Sequence, residues 1–418
     1  MALLRQKGSP TLFLTMSCAE YSWKELLKEV VEHVERRQVT QEYVDSLSKQ
    51  QKNKMISENV VLTTLHFQKR IEKELTLMTK SNFFGEEFDL HVKSYYYRVE
   101  FQQRGSAHIH CLLWLEDSDG NEAPTFWTAK DEDKEFENEK SDLKSKIKKI
   151  EIIADRLIKV SKRKAVCMKH INNKEKDIEH ECDMCYSPSS NFEKCQNHIS
   201  KTINNKDCEE CIEVKKLVES FQFHRHTFTC QKKKKFVNIK ATEGHGRFDG
   251  VKKGEVILNF PECRFNFPQV PLNKTTFVFG FAKNLPPKEK AKRKSDLRKI
   301  KKYLIRQTYR KDSEESQSYK NFEKLNFLEF LHEVGMFERD DDLCNYTEME
   351  KKNAYDRYIN ALSASIRGTG CIFLERTTED IYTNNFNLSI LILHQANIDV
   401  QIVIDQVKIH VLYNIIIK

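Results

Sequence analysis

The sequence predicts an α+β fold with an antiparallel sheet and flanking helices, and three observations carry that prediction. Tyr95–Phe101 and Ala107–Leu115 read as two strands on either side of a short turn containing Arg104, Gly105 and Ser106, which is the pattern of a hairpin. Lys24–Val31 and Val60–Leu77 repeat apolar residues at helical spacing. With a strand candidate at Thr11–Thr15 ahead of them, the order is strand, helix, helix, hairpin, an α+β order.

Residues 1–116 make the first division of the chain and hold these elements. Residues 117–164 are highly charged and open acidic, with Asp131, Glu132 and Asp133 in a row. Asp142–Val160 has the spacing of an amphipathic helix, but the segment reads first as a solvated, charged connector. Residues 165–270 concentrate cysteine and histidine. Residues 284–320 are basic: Lys288 to Lys311 holds 12 Lys/Arg against two acids, as a linker, a solvated helix, a DNA-contacting face or a nuclear-localisation signal would. In residues 321–418, Tyr346–Ser365 is helical in pattern, while Cys371–Glu375, Ser389–His394 and Val400–Asp405 are strand candidates.

At 418 residues the chain is long enough for two or three domains. Hydrophobic residues make up 39%, sufficient for a core, and the net charge of +8 suits a polyanionic partner without requiring one. No apolar run reaches the length of a membrane span, and the opening MALLRQKGSPTLFLTMSC has no signal-peptide pattern. The twelve cysteines are therefore expected in a reducing compartment, where clustered thiols hold metal more often than they pair.

Side chains alternate across a strand, so His108 and His110 point to one side while Ala107, Ile109, Cys111, Leu113 and Leu115 form the apolar face. On the preceding strand Arg98, Glu100 and Gln102 share a face, and closing the hairpin brings Gln102 or Glu100 beside the histidines. Two imidazoles and one oxygen donor suit a divalent cation that polarises a phosphodiester. Mg or Mn fits such a set, and imidazole would also take Zn.

Two similar cysteine/histidine segments follow one another. Cys167-x-x-His170 precedes Cys182-x-x-Cys185 by eleven residues, and Cys195-x-x-His198 precedes Cys208-x-x-Cys211 by nine. Matching positions recur every 26–28 residues and both segments contain INNK, so this is an internal repeat. Each repeat offers three thiolates and one imidazole, a closed tetrahedral set for structural zinc. A third, looser set is His224, His226, Cys230 and Cys263. Arg104, Arg367, Lys232 and Lys233 are candidates for contact with DNA phosphates.

The string EFQQRGSAHIHCLLWL (100–115) resembles the signature of the Helitron Rep nuclease domain, which belongs to the HUH superfamily of rolling-circle endonucleases. GSPTLFLTMSC (8–18) resembles its first block. HRHTFTC (224–230), CRFNFP (263–268), ALSASIRGTGCIFLERTTEDIYTNNFN (361–387) and ANIDVQIVID (396–405) resemble later blocks in the family's order. The resemblance implies an HUH nuclease core with inserted zinc-binding modules, a nuclear location and single-stranded DNA as partner. It implies a tyrosine that attacks the scissile phosphate to give a 5′-phosphotyrosine. It also implies that His108 and His110 hold the metal, with Gln102 as third ligand and Glu100 as the alternate. His224, His226, Cys230 and Cys263 occur in the family in this order.

The resemblance departs from the family's pattern at its end. The family places two tyrosines one helical turn apart after the last block, whereas QVKIHVLYNIIIK holds only Tyr413. Tyr413 is the candidate nucleophile. Tyr355 and Tyr358 form another close pair, read as helix packing. No GxxxxGK[ST] motif occurs, so a helicase would have to come from a separate or missing segment. A truncated copy is expected. The alternative to an endonuclease is a non-catalytic, zinc-dependent nucleic-acid-binding remnant of a transposon.

Overall fold

The computed structural model describes residues 6–80, 82–85, 89–101, 105–123, 136–165, 209–227, 230–241, 256–281, 285–311, 316–366 and 368–404. In chain order the strands are β1 (Leu12–Ser17), β2 (His91–Phe101), β3 (Ala107–Glu116), β4 (Gln231–Ala241), β5 (Val256–Cys263), β6 (Thr276–Phe279), β7 (Gly370–Phe373) and β8 (Ile398–Ile402). The helices are α1 (Lys24–Glu35), α2 (Gln41–Ser46), α3 (Lys49–Glu58), α4 (Val60–Met78), α5 (Phe136–Leu157), α6 (Glu209–Leu217), α7 (Pro287–Lys311), α8 (Ser316–Glu323), α9 (Phe327–Glu333), α10 (Glu348–Ser363) and α11 (Leu388–His394). The expected mixture of helix and antiparallel sheet is present, divided between two compact units.

The first unit draws on Met1–Glu175, Cys208–Gln222 and Asn384–Lys418. Its sheet runs β2-β3-β1-β8, and each neighbouring pair is antiparallel. Register explains why one face is core. Met16 lies opposite Ile109 and Ile398, Leu14 opposite Cys111 and Val400, and Leu12 opposite Leu113 and Ile402. All nine are buried. The intervening positions His108, His110, Thr15, Ser17 and Asp399 consequently share the other face.

Helix α4 buries Phe67, Ile71, Glu74, Leu75 and Met78, spaced as one helical stripe. Glu74 in that stripe is charged, and its partners are fixed: Arg70 Nε lies 2.9 Å from one carboxylate oxygen and His394 Nδ1 2.9 Å from the other. The other His394 nitrogen faces the Ser17 carbonyl at 2.9 Å, tying the end of β1 to α4 and α11. The Trp23 indole donates to the carbonyls of His394 and Gln395, and the Arg70 guanidinium stacks over the Trp23 ring.

Several expectations change here. Ser389–His394 is a helix and not a strand. Asn387 accepts from the Ile390 amide as its N-cap, and Gln395 ends it in the left-handed region at φ 53°. The run is buried at Leu388, Ser389, Ile390, Leu391 and His394, so no polar face reveals its period. The last strand is Ile398–Ile402, two residues before the expected start, because its pairing with β1 fixes it. The segment read as a charged connector contributes α5, whose Ile150, Ala154 and Leu157 are buried together with Ile158 and Val160. Residues 321–418 are also divided: the stretch to Thr383 belongs to the second unit and the remainder to the first.

The second unit, described here from Phe223 to Thr383, packs α7–α10 around one core that includes Leu297, Ile300, Leu304, Phe330 and Tyr358. Tyr358 is fully buried and donates its hydroxyl to the Pro271 carbonyl, and burial pushes its phenol well above the usual tyrosine range. Tyr355 shares a hydroxyl contact with Thr276. The Tyr355/Tyr358 pair is thus helix packing, as expected. Strand β7 pairs with β6, where Gly370 is required because a Cβ would meet the Phe277 ring at 2.2 Å. Strands β4 and β5 form a separate antiparallel ribbon.

Candidate metal centres

The hairpin brings Glu100 opposite His108 and Arg98 opposite His110. The two Nε2 atoms lie 3.2 Å apart, and Glu100 Oε2 lies 3.7 Å from that of His108 and 3.6 Å from that of His110. Such separations are those of ligands about 2.1 Å from a shared ion that subtend roughly 100–120° there. The three groups are half-buried, and together they supply two nitrogens and one carboxylate. Glu100, the alternate third ligand, is therefore placed beside the histidines. Gln102, the first choice, and Arg104 lie outside the described residues.

The environment of each ring prepares it for a cation. Thr15, opposite His110 on β1, puts its hydroxyl oxygen 3.1 Å from His110 Nδ1. With the proton on Nδ1, the Nε2 lone pair faces Glu100 and His108. The Phe13 ring stacks on His110 at 5.5 Å between centroids. His108 Nδ1 is buried with no hydrogen-bond partner among the described residues. Burial lowers the pKa of both histidines, with His108 adding to the effect on His110 and Glu100 opposing it on both. Neutral imidazoles are the form that ligates metal. Two Nε2 lone pairs held 3.2 Å apart repel unless a proton or cation sits between them, so the donor set fits a divalent ion.

The sequence did not single out Phe13, Thr15 or Asp399. Asp399 lies opposite Thr15 on the face of the histidines, half-buried, with Gln401 donating to its carboxylate at 2.7 Å. Their signal was the polar positions Thr15 and Ser17 within an otherwise apolar strand, readable only once the partner strands were known.

A second convergence lies in the other unit. His224, His226, Cys230 and Cys263 place one ligand atom each within 4.8 Å of one another. Cys230 leads into β4, Cys263 ends β5, and Gln231 lies opposite Cys263. The backbone locks this arrangement: the Arg264 amide donates to the Cys230 carbonyl at 2.7 Å. His224 Nε2 sits 3.3 Å from Cys263 Sγ, and His226 Nδ1 sits 3.5 Å from Cys230 Sγ. The His224 ring stacks on Phe267 at 4.4 Å, and the His224 amide donates to the Tyr382 carbonyl. Burial and the neighbouring His226 push His224 down to about 4. The Cys263 thiol is raised, first by burial and also by Cys230. Two thiols and two imidazoles make a soft four-donor set with the composition of a closed structural site. The looser spacing of this third set in the sequence therefore conceals a tight cluster in space.

The remaining expectations divide simply. Cys211 is buried on α6. Its companions Cys167, His170, Cys182, Cys185, Cys195, His198 and Cys208 lie outside the described residues, as do Arg367 and Tyr413. Lys232 and Lys233 fall on β4, whose backbone alone is described there.

Residues 1–113 match the family model described as the Helitron helicase-like domain at N-terminus. The matched span contains β1, β2 and the three residues of the histidine centre. No curated protein and no solved structure matches the chain.

Proposed function

We propose that the protein is a metal-dependent, single-stranded-DNA endonuclease and strand transferase of the rolling-circle type, and that Glu100, His108 and His110 are its cation site. The observation that carries this reading is the convergence of two imidazoles and a carboxylate on one sheet face, within the span that matches a Helitron-related domain. A bound Mg or Mn would supply Lewis-acid polarisation of a phosphodiester oxygen. The Thr15 hydroxyl is placed to accept the Nδ1 proton of His110, the Phe13 ring stacks on that imidazole, and the apolar underside of the sheet holds both histidine backbones in place.

The chemistry requires a nucleophile, and Tyr413 is assigned to it from the sequence. Its phenolic oxygen forms a bond to phosphorus while the bond from phosphorus to the 3′ oxygen breaks. The 3′ oxygen leaves as a hydroxyl, taking up a proton, and the 5′ phosphate stays on the tyrosine. Transfer to a second 3′ hydroxyl reverses these bonds and frees the tyrosine. The reading carries with it a nuclear location and a helicase on another segment or chain for strand separation. His224, His226, Cys230 and Cys263 are assigned to structural zinc, as are the two repeats.

The purified full chain incubated with end-labelled single-stranded DNA and Mn or Mg tests the assignment. A nick and a covalent protein–DNA adduct on a denaturing gel are expected, both lost in His108→Ala and Tyr413→Phe. Nicking that persists unchanged in both variants removes this site from the reaction. One feature favours the second reading, a zinc-dependent DNA-binding remnant: QVKIHVLYNIIIK offers a single tyrosine. Salt-sensitive DNA binding with no adduct at any metal concentration would select it.

A further inference from the structure

Helix α7 (Pro287–Lys311) sorts its charges by face. The inward stripe of Asp296, Leu297, Ile300, Leu304 and Gln307 is buried. Both acids of the helix are neutralised locally. Arg357 grips Asp296 with Nη2 at 2.7 Å and Nε at 2.8 Å, and Glu289 pairs with Arg293 at 2.9 Å. The charges left on the outward surface are then cations, with Lys292 bordering a cleft that Glu338, Glu350 and Asp356 also line. Lys288, Lys292, Lys294, Arg298, Lys301 and Lys302 are exposed, and none of them makes an ion pair among the described residues. Lys288 to Lys302 spans about 21 Å of helix.

This arrangement does not serve the fold. Like charges one turn apart, as at Lys288/Lys292, Lys294/Arg298 and Arg298/Lys302, repel and weaken a helix. The neighbouring α10 shows the alternative, with Glu348 pairing Lys351 three residues on. A polyanion such as DNA carries condensed cations that a row of lysine and arginine heads can displace, and release of those counterions drives binding.

We infer that the outer face of α7 is a docking ridge for the phosphate backbone of DNA, a contact surface of the second unit separate from the histidine centre. The inference rests on the reading of the protein as one that acts on DNA. Charge complementarity selects the occupant: DNA presents about one charge per 1.7 Å of duplex axis, and the ridge offers lysine and arginine heads with no base-reading pattern. Binding through the ridge is therefore independent of sequence.

The test compares the full chain with a variant carrying Lys294→Gln, Arg298→Gln, Lys301→Gln and Lys302→Gln. A control neutralises the exposed Lys49, Lys54, Lys69 and Lys73 instead. Fluorescence anisotropy with a labelled 30-base-pair duplex and a labelled 30-mer single strand is followed across potassium chloride concentration. Circular dichroism and thermal melting establish that each variant folds. The ridge variant is expected to lower the slope of log affinity against log salt by up to about 3.6 for duplex and about 2.8 for single strand, one phosphate per residue removed. The control is expected to leave it within about 0.5. Equal slopes for wild type and ridge variant, or an equal drop in the control, overturn the inference. A wild type that nicks single strands with an unmoved slope overturns the ridge alone. A wild type that binds no DNA overturns the ridge together with the proposed function.

Discussion

The two candidate metal centres differ in the way each is held. The histidine centre is built on rigid neighbouring strands, where alternation alone aims His108 and His110 at Glu100. It offers three hard or borderline donors and leaves the rest of a coordination shell to water or substrate. The cysteine/histidine centre closes a chain crossing between a loop and a β-ribbon, with two buried thiols and four donors. It leaves nothing open. The site proposed for chemistry and the one proposed for architecture thus differ in donor count and softness, and the supporting backbone follows the same division.

Removing a donor should break that contrast in opposite ways. Cys263→Ser is expected to have the largest effect. It removes one of two thiolates from a closed set, so bound zinc per chain should fall by one and the second unit should lose its cooperative melt. Elemental analysis and calorimetry read both; an unchanged zinc content would dissociate the cluster from metal. The corresponding change at the open site, Glu100→Gln, should leave the melting temperature within a few degrees, because Glu100 is half-buried and lies outside the apolar core. Nicking should nevertheless fall by about a hundredfold or more, the order found when one transition-state stabilising group is removed. Unfolding of Glu100→Gln under native conditions would erase the proposed division.

Breaking the support behind the open site comes next in size. His394→Ala leaves Glu74 buried without its imidazole partner and frees the Ser17 carbonyl, opposite which His108 stands across β1 and β3. Arg70 still pairs with Glu74, so the cost is that of leaving a buried acceptor without its hydrogen bond, about 1–3 kcal/mol. Chemical denaturation should show that loss. His394→Gln, which can still donate to one acceptor, should lose less. Equal stability of His394→Ala and wild type would show that the network does not hold β1.

Legibility in the sequence followed the range over which each feature is determined. The hairpin was readable because its alternation is local: Ala107, Ile109, Cys111, Leu113 and Leu115 are all buried, as the period of two required. The choice between Glu100 and Gln102 is not fixed locally, because alternation in the sequence gives both the same parity; the register of Glu100 with His108 supplies the placement of Glu100. Thr15 was invisible as a partner of His110 because 95 residues separate them. The helix Leu388–His394 reads as a strand in the sequence because a short, almost wholly apolar run carries no period, and its cap lies in Asn387 just outside the run. His224, His226, Cys230 and Cys263 were named from order and spacing, whereas their closeness comes from the β4–β5 pairing.

Thr15→Val is expected to have a smaller effect, and it sharpens the comparison. The substitution keeps the shape of the side chain and deletes the hydroxyl 3.1 Å from His110 Nδ1, which accepts from that nitrogen when Nε2 ligates a metal. Partners of ligating histidines contribute about 10–100-fold to metal affinity, so Mn titration should weaken by that factor while zinc content stays constant.

Acid should then separate the centres with the least perturbation of all. In the metal-free protein His224 is held at about 4 against an ordinary 6.5, so the unfolded chain binds a proton in that window that the folded chain refuses. Stability is therefore greatest above 6.5, is lost as the pH falls toward 4 and levels off below. Bound zinc competes for the same lone pair and should flatten this dependence. Denaturation midpoints between pH 7 and 4, with and without chelator, measure it. A chelator-treated protein with the same pH dependence as the zinc-loaded one would mean that His224 does not ligate, and that the closed site is closed by something other than metal.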